Sequence, residues 1–131
     1  MSPKHQDQIR ALKEKATQAL SDAELLLEHG SVEAAVNRGY YAVFQAARAA
    51  LLTKDDRPKT HAGVIQRFGY HFVRTEQVSE KTSDILSTAQ SMRGQADYEA
   101  FSHLTEEDAA HLAEDARRFI EAIEKHVLSR R

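Results

Sequence analysis

The chain has 131 residues, a length typical of one domain with one core, and we expect a single domain over residues 1–131. Hydrophobic residues make up 41% and charged residues 29%, which excludes a disordered chain, and the lack of cysteine excludes disulfides and thiolate metal sites. No apolar run approaches the ~18 residues of a membrane span, and the N-terminus has no apolar signal segment, so we predict a cytoplasmic protein without membrane association.

The helices can be placed from the spacing of apolar residues and from capping residues. The first is predicted over about residues 3–29, because Ser2-Pro3 is a good helix start and Gly30 adopts positive φ without a Cβ penalty. The second, residues 31–53 with Ser31 as its N-cap, repeats Ala, Gly and larger apolar residues at the i, i+3, i+4, i+7 spacing. We expect it to be buried at the centre, in an antiparallel hairpin with the first helix.

The second half of the chain predicts three further helices. A shorter helical segment covers residues 59–76, and another helix runs from about Ser79 to Arg93, where we expect Gly94 to end it before a polar connection over residues 95–104. Thr105 and the acid three positions later resemble a capping box at the start of the last helix. No strand pattern competes. The predicted fold is all-α: an up-and-down antiparallel four-helix bundle with an additional short helix.

The net charge of −2 conceals an uneven distribution of charge along the chain. Residues 31–74 carry seven Lys or Arg against three Asp or Glu, a balance of +4, whereas residues 75–131 carry seven against twelve, a balance of −5. This split permits a local anion site, although two solvated helix faces would give the same pattern. The chain as a whole is not basic, which argues against a protein that coats DNA.

Cofactor and metal motifs are missing from the sequence. It contains no Gly-rich phosphate loop and no Gly-x-Ser-x-Gly nucleophile turn. None of the seven histidines forms the i, i+4 pair with an adjacent Glu that is typical of a helical zinc site. We therefore predict neither a cofactor nor a metal.

Polar residues beside the apolar stripes are the candidates for a site. Arg38 lies within the apolar second helix, next to Tyr40 and Tyr41, and a charge so placed needs a partner or a route to water. It would bind an anion, or it would belong to a purely structural network with Asp97 and Tyr98.

A second group of candidates lies at predicted helix ends. Lys59 and His61 flank Thr60 at a helix start, where a cation and backbone N–H groups together can bind phosphate. Thr60 would equally be a simple N-cap. Arg93 closes the fourth predicted helix, where a cation also complements the helix dipole.

Three segments of the chain contain a combination of residues with a characteristic order and spacing: Arg38, Tyr40, Tyr41 and Phe44, then Lys59, Thr60, His61 and Gly63 with Phe72-Val73, and finally Arg93, Asp97 and Tyr98. This combination resembles the HEPN superfamily (higher-eukaryote and prokaryote nucleotide-binding domain). More narrowly, the chain is similar to the small stand-alone prokaryotic HEPN proteins, over about residues 5–128.

The resemblance implies an all-α homodimer that is often encoded beside a minimal nucleotidyltransferase, as a toxin–antitoxin pair. Many members are metal-independent ribonucleases with an Arg-x(4–6)-His motif, in which arginine would hold the scissile phosphate and histidine would move protons. Arg93 fits the motif arginine here. After four intervening residues, however, Tyr98 stands where the histidine would be, and His103 lies ten positions beyond Arg93.

Two functions are compatible with the resemblance. The first is a module that binds a nucleotide, RNA or a nucleotidyltransferase partner, and the absence of the motif histidine favours it. Its ligand-binding residues would be Arg38, Tyr40, Tyr41, Lys59, His61 and Arg93, with Tyr98 as a further stacking or hydrogen-bonding group.

The second function is a metal-independent RNA-cleaving toxin with an Arg-x4-Tyr site, whose catalytic residues would be Arg93, Asp97, Tyr98 and His61. In either case we expect a homodimer, with Tyr98 and Phe101 presented to the second subunit.

Overall fold

A computed structural model describes residues 3–98 and 103–130 of the chain. This part of the chain contains five α-helices and no strand. A single π-helical turn, Gly69–Val73, continues the third helix, and a short 3-10 turn, Leu128–Arg130, follows the last. The predicted all-α bundle of four long helices and one short helix is confirmed. The helices are α1 (Pro3–Glu28), α2 (Val32–Leu52), α3 (His61–Phe68), α4 (Glu80–Asp97) and α5 (Glu106–His126).

Helix α2 is the centre of the bundle, as its apolar pattern predicts. The other four helices all pack against it. All of its alanines except Ala34 are buried, and small side chains allow neighbouring helices to approach closely. Gly39 allows such an approach by α5, because a Cβ added at this position would lie only 3.1 Å from Cγ of Leu112.

The turn between α1 and α2 forms at Gly30, which has the predicted positive φ of +73°. The N–H groups of Gly30 and Ser31 donate to the carbonyl oxygens of Leu27 and Leu26 at 2.9 and 3.0 Å. Ser31 is the N-cap residue of α2, but its hydroxyl makes no capping hydrogen bond. Its ψ of 79° differs from the extended geometry of a side-chain cap, because the tight turn fixes the backbone here.

The predicted end of α4 at Gly94 is wrong, since the helix continues through that residue to Asp97. A glycine inside a helix costs only about 1 kcal/mol relative to alanine. Packing on both sides offsets this cost, because Ala89 and Ala96 of the same helix are buried against the core. Residues 95–97 therefore belong to α4, and the predicted interface residue Phe101 lies outside the described residues.

Gly94→Ala is expected to raise the free energy of unfolding by about 0.5–1 kcal/mol, because it removes the entropy cost of a helical glycine. A Cβ at this position would meet no atom within 4 Å. Urea denaturation measures the change, with Gly30→Ala as the opposite control. That substitution should destabilise the protein, since φ at Gly30 is +73°. A destabilised Gly94→Ala variant would contradict the expectation.

Side-chain caps fix the starts of α3 and α5. The Gly63 N–H donates to Oγ1 of Thr60 at 2.9 Å, which confirms Thr60 as the N-cap of α3. Thr105 and Asp108 form the predicted capping box, with reciprocal hydrogen bonds of 3.0 and 3.1 Å. Among the described helices, none is long and apolar enough to cross a membrane.

Candidate functional site

Three aromatic rings stack where α2 meets the N-terminus of α3. Tyr40 and Phe44 lie one turn apart on α2, with ring centroids 5.7 Å apart. His61, the first residue of α3, lies 4.6 Å from the Phe44 ring and 5.5 Å from the Tyr40 ring, nearly parallel to both. The Tyr40 hydroxyl is hydrogen-bonded to Nδ1 of His61. Stacking and this hydrogen bond together fix the orientation of the imidazole.

Helix α4 brings Arg93 to the same aromatic stack. The guanidinium carbon of Arg93 lies 5.2 Å from the centroid of the Tyr40 ring, within the range of a cation–π contact. Nη2 of Arg93 also lies 3.9 Å from Oδ2 of Asp97, one turn further along α4. With 38% of its side chain exposed, Arg93 remains accessible to a ligand. We refer to Tyr40, Phe44, His61 and Arg93 as the aromatic–arginine cluster.

Two other predicted site residues, Lys59 and Tyr98, lie close in sequence to members of this cluster. Lys59 is exposed, two residues before His61. Tyr98 is the C-cap of α4 and is 73% exposed, close in sequence to Arg93 and Asp97.

Arg38 and Tyr41 form a separate contact on α2. The guanidinium carbon of Arg38 lies 4.4 Å from the Tyr41 ring centroid, and both side chains are half-buried. Within the described residues, no hydrogen bond or ion pair joins Arg38 to Asp97 or Tyr98. The structural network proposed for these three residues is therefore not formed. The charge in the apolar helix is instead accommodated by an aromatic face and by the partial exposure of the side chain.

A second polar cluster holds the connection between α2 and α3. Oδ2 of Asp56 accepts hydrogen bonds from Nε of Arg67 at 2.6 Å and from Nε2 of His71 at 2.9 Å. The hydrogen bond from Arg67 is the main reason that the pKa of Asp56 lies below its usual value, and it outweighs the opposing effect of burial. This cluster anchors the connection to α3 and to the π-helical turn.

Two features of the structure were not predicted from the sequence. Phe44 contributes a ring to the stack, although it was named only as part of the family resemblance and not as a site residue, and its i+4 spacing from Tyr40 was a signal for this. The second feature is the contact of Asp56 with Arg67 and His71. These two residues follow Asp56 by 11 and 15 positions, and no local pattern indicates that they meet it.

The helical bundle that carries this cluster is a HEPN domain. The family of that description matches residues 9–126, nearly the whole chain, and the chain belongs to it. The resemblance inferred from the sequence is confirmed.

Relatives in archaea and bacteria are similar over most of their length. The chain is 40% identical over 119 residues to "Putative toxin MJ0605" of Methanocaldococcus jannaschii, which covers 91% of this chain and 88% of the relative. It is 30% identical over 130 residues to "Putative toxin MJ0142" of the same organism, covering 99% and 88%. It is 34% identical over 122 residues to "UPF0332 protein glr0978" of Gloeobacter violaceus, covering 92% and 94%. These names agree with a small, toxin-like HEPN protein.

Proposed function

We propose that this HEPN domain is a nucleotide- or RNA-binding module that acts as a homodimer, with a minimal nucleotidyltransferase as its partner in a toxin–antitoxin-like system. The observation that carries the proposal is that Arg93 and His61 both contact the ring of Tyr40. An accessible guanidinium beside aromatic rings is the combination that binds phosphates and stacks on bases.

The exposure of each cluster residue determines whether it can contact a ligand. Arg93 is accessible and would hold a phosphate, with Lys59 as a second cation. Phe44 and His61 are half-buried and offer ring surface to a base. Tyr40 is only 3% exposed, so its role is to position His61 and Arg93 rather than to stack on the ligand.

The homodimer and the partner rest mainly on the family. The names of two relatives contain the word toxin, and the family resemblance implies that such a protein is paired with a nucleotidyltransferase. Tyr98 adds a physical argument for the dimer. A tyrosine that is 73% exposed at the end of α4, close to Arg93, is typical of an interface residue. The proposed dimer would therefore place a second subunit beside the aromatic–arginine cluster.

A metal-independent RNA-cleaving toxin with an Arg-x4-Tyr site is the second candidate function. In this mechanism Arg93, paired with Asp97, would hold the scissile phosphate and stabilise its developing charge. His61, oriented by Tyr40, would move protons in place of the motif histidine, and Tyr98 would donate a hydrogen bond. This mechanism needs an arginine and a proton-transferring group at one site. The contact of both Arg93 and His61 with the Tyr40 ring supports it.

The test uses metal-free protein, its Arg93→Ala variant and an Arg118→Ala control. Arg118 is an exposed arginine of α5 that pairs with Glu114, so its loss alters the same charge outside the cluster. Binding to labelled single-stranded RNA and tRNA is measured by fluorescence anisotropy, and cleavage on denaturing gels. We expect Arg93→Ala to weaken binding by about ten-fold or more, the effect of losing a charged hydrogen bond. Arg118→Ala should bind as the parent protein does.

Each outcome decides between the candidates. Binding without cleavage supports the module. Cleavage that disappears in Arg93→Ala establishes the toxin mechanism. The absence of both, in a folded protein, contradicts RNA binding and RNA cleavage together. Sedimentation of the same samples tests the dimer, since a monomer at high micromolar concentration would contradict it.

A further inference from the structure

A groove with a basic rim lies next to the aromatic–arginine cluster, between α1, the C-terminal half of α2 and the connection that precedes α3. Its volume is about 720 Å³, within the range of small-molecule and nucleotide pockets. Leu12 and Leu52 form an apolar part of its wall, and Phe44 and His61 form the side that it shares with the cluster.

The cations of this groove come from three different segments of the chain. Lys15 lies on α1, Arg48 on α2, and Arg57 and Lys59 in the connection, and all four are exposed. Arg48 and Arg57 donate hydrogen bonds to the neutral side chains of Gln45 and Gln8, at 3.0 and 2.7 Å. Their charges therefore remain available to an anion.

Carboxylates do not neutralise this rim. Among the described residues, no ion pair involves Lys15, Arg48, Arg57 or Lys59, whereas Lys13, Arg117 and Arg118 on other faces all lie beside glutamates. Asp56 is the one acid among the described residues that lines the groove, and its carboxylate is already bound by Arg67 and His71. The groove thus concentrates uncompensated positive charge in a chain whose net charge is −2.

The wall of the groove is preformed. The hydrogen bonds that the Asp56 carboxylate accepts from Arg67 and His71 anchor the connection to α3 and to the π-helical turn. The backbone N–H of Asp56 also donates to the carbonyl oxygen of Leu51 at 3.1 Å. A ligand that enters the groove therefore has little backbone to order, which favours binding.

We infer that this groove binds phosphorylated nucleosides, with Lys15, Arg48 and Arg57 on the phosphates and the Phe44 and His61 rings against a base. The inference rests on the proposed RNA- or nucleotide-binding function and extends it to a subsite. Because the groove and the cluster share the Phe44–His61 wall, a single RNA strand bound at Arg93 would continue into the groove. A free nucleotide offers the same chemistry on its own.

The experiment compares Lys15→Glu/Arg57→Glu with the control Lys81→Glu/Arg118→Glu, which changes the net charge equally between α4 and α5. The groove variant leaves the hydrogen bond of Arg48 to buried Gln45 intact, so it should fold like the parent. The probes are a labelled ten-nucleotide single-stranded RNA and a labelled adenosine monophosphate, each titrated at several salt concentrations. Denaturation curves verify that both variants are folded.

We expect the groove variant to bind the ten-nucleotide RNA at least ten-fold more weakly. Its plot of log K against log salt should be shallower by about 1.4, because each phosphate contact to a single strand contributes about 0.7 to the slope. The control variant should keep the parent slope. Loss confined to the RNA assigns the groove to a strand, and loss of adenosine monophosphate binding assigns it to a free nucleotide.

Different results would contradict the groove inference and the proposed function. If the groove variant binds both probes as the parent does while Arg93→Ala is impaired, the groove inference is overturned and the function stands. If the parent protein binds neither probe, both are overturned.

Discussion

Tyr40→Ala is expected to lower the free energy of unfolding by about 3–5 kcal/mol, the usual cost of replacing a large buried aromatic by alanine. The Tyr40 ring is 3% exposed and contacts Phe44, His61 and Arg93, which come from α2, α3 and α4. Its removal would leave a cavity at the point where these helices meet. Urea denaturation measures the loss, and RNA binding should fall with it because His61 and Arg93 lose their common support.

Tyr40→Phe is the matched control. It keeps the ring and removes only the hydroxyl that is hydrogen-bonded to His61, so it should cost about 0.5–1.5 kcal/mol. If the phenylalanine variant were destabilised as much as the alanine variant, the hydrogen bond to His61 rather than ring packing would hold the cluster together. If Tyr40→Ala cost less than about 1 kcal/mol, the stacked arrangement itself would be contradicted.

The long helices were predictable because their signals are local. The apolar stripes of α1, α2 and α5 repeat over several turns, and Gly30, Thr60 and Thr105 mark boundaries by their own backbone or hydrogen-bonding chemistry. Each of these signals lies within a few residues of the feature that it predicts. For this reason the bundle could be assigned before any tertiary contact was known.

The errors arose where tertiary packing decided the outcome. Gly94 was expected to end α4 because glycine has a low helix propensity. The burial of Ala89 and Ala96 stabilises the helix on both sides of it, so that α4 continues to Asp97. The hydroxyl of Ser31 caps nothing, because the tight turn at Gly30 sets its backbone geometry. Propensity describes the chain alone, and packing energy of a few kcal/mol overrides it.

The candidate site was predictable only in part. Family resemblance suggested Tyr40, His61 and Arg93, and the structure brings these three residues together around one ring. The basic groove was not foreseen, because Lys15 and Arg57 lie more than forty positions apart and converge only through the α1–α2 hairpin. The charge balance of +4 over residues 31–74 was compatible with an anion site in that region, but equally with solvated helix faces, and it could not include α1.

Phe119→Ala should also lower the free energy of unfolding by about 3–5 kcal/mol, because it empties a fully buried position at which α5 packs against α3. The ring of Phe119 lies 5.4 Å from that of Phe68, which in turn lies 5.1 Å from Phe72 in the π-helical turn. Phe119→Leu, which keeps a large apolar side chain, is expected to lose clearly less. Urea denaturation of both variants measures the difference.

This core position is coupled to the site through α3, since Phe68 ends the helix that His61 begins. Loosening the docking of α3 should therefore increase hydrogen exchange of its amides more than that of α1. If exchange rises equally in both helices, the three phenylalanines stabilise the bundle as a whole and do not position His61 in particular. If it rises in α3 first and RNA binding weakens under conditions in which α1 is still protected, the aromatic core between α5 and α3 is what holds the His61 imidazole against the Tyr40 ring.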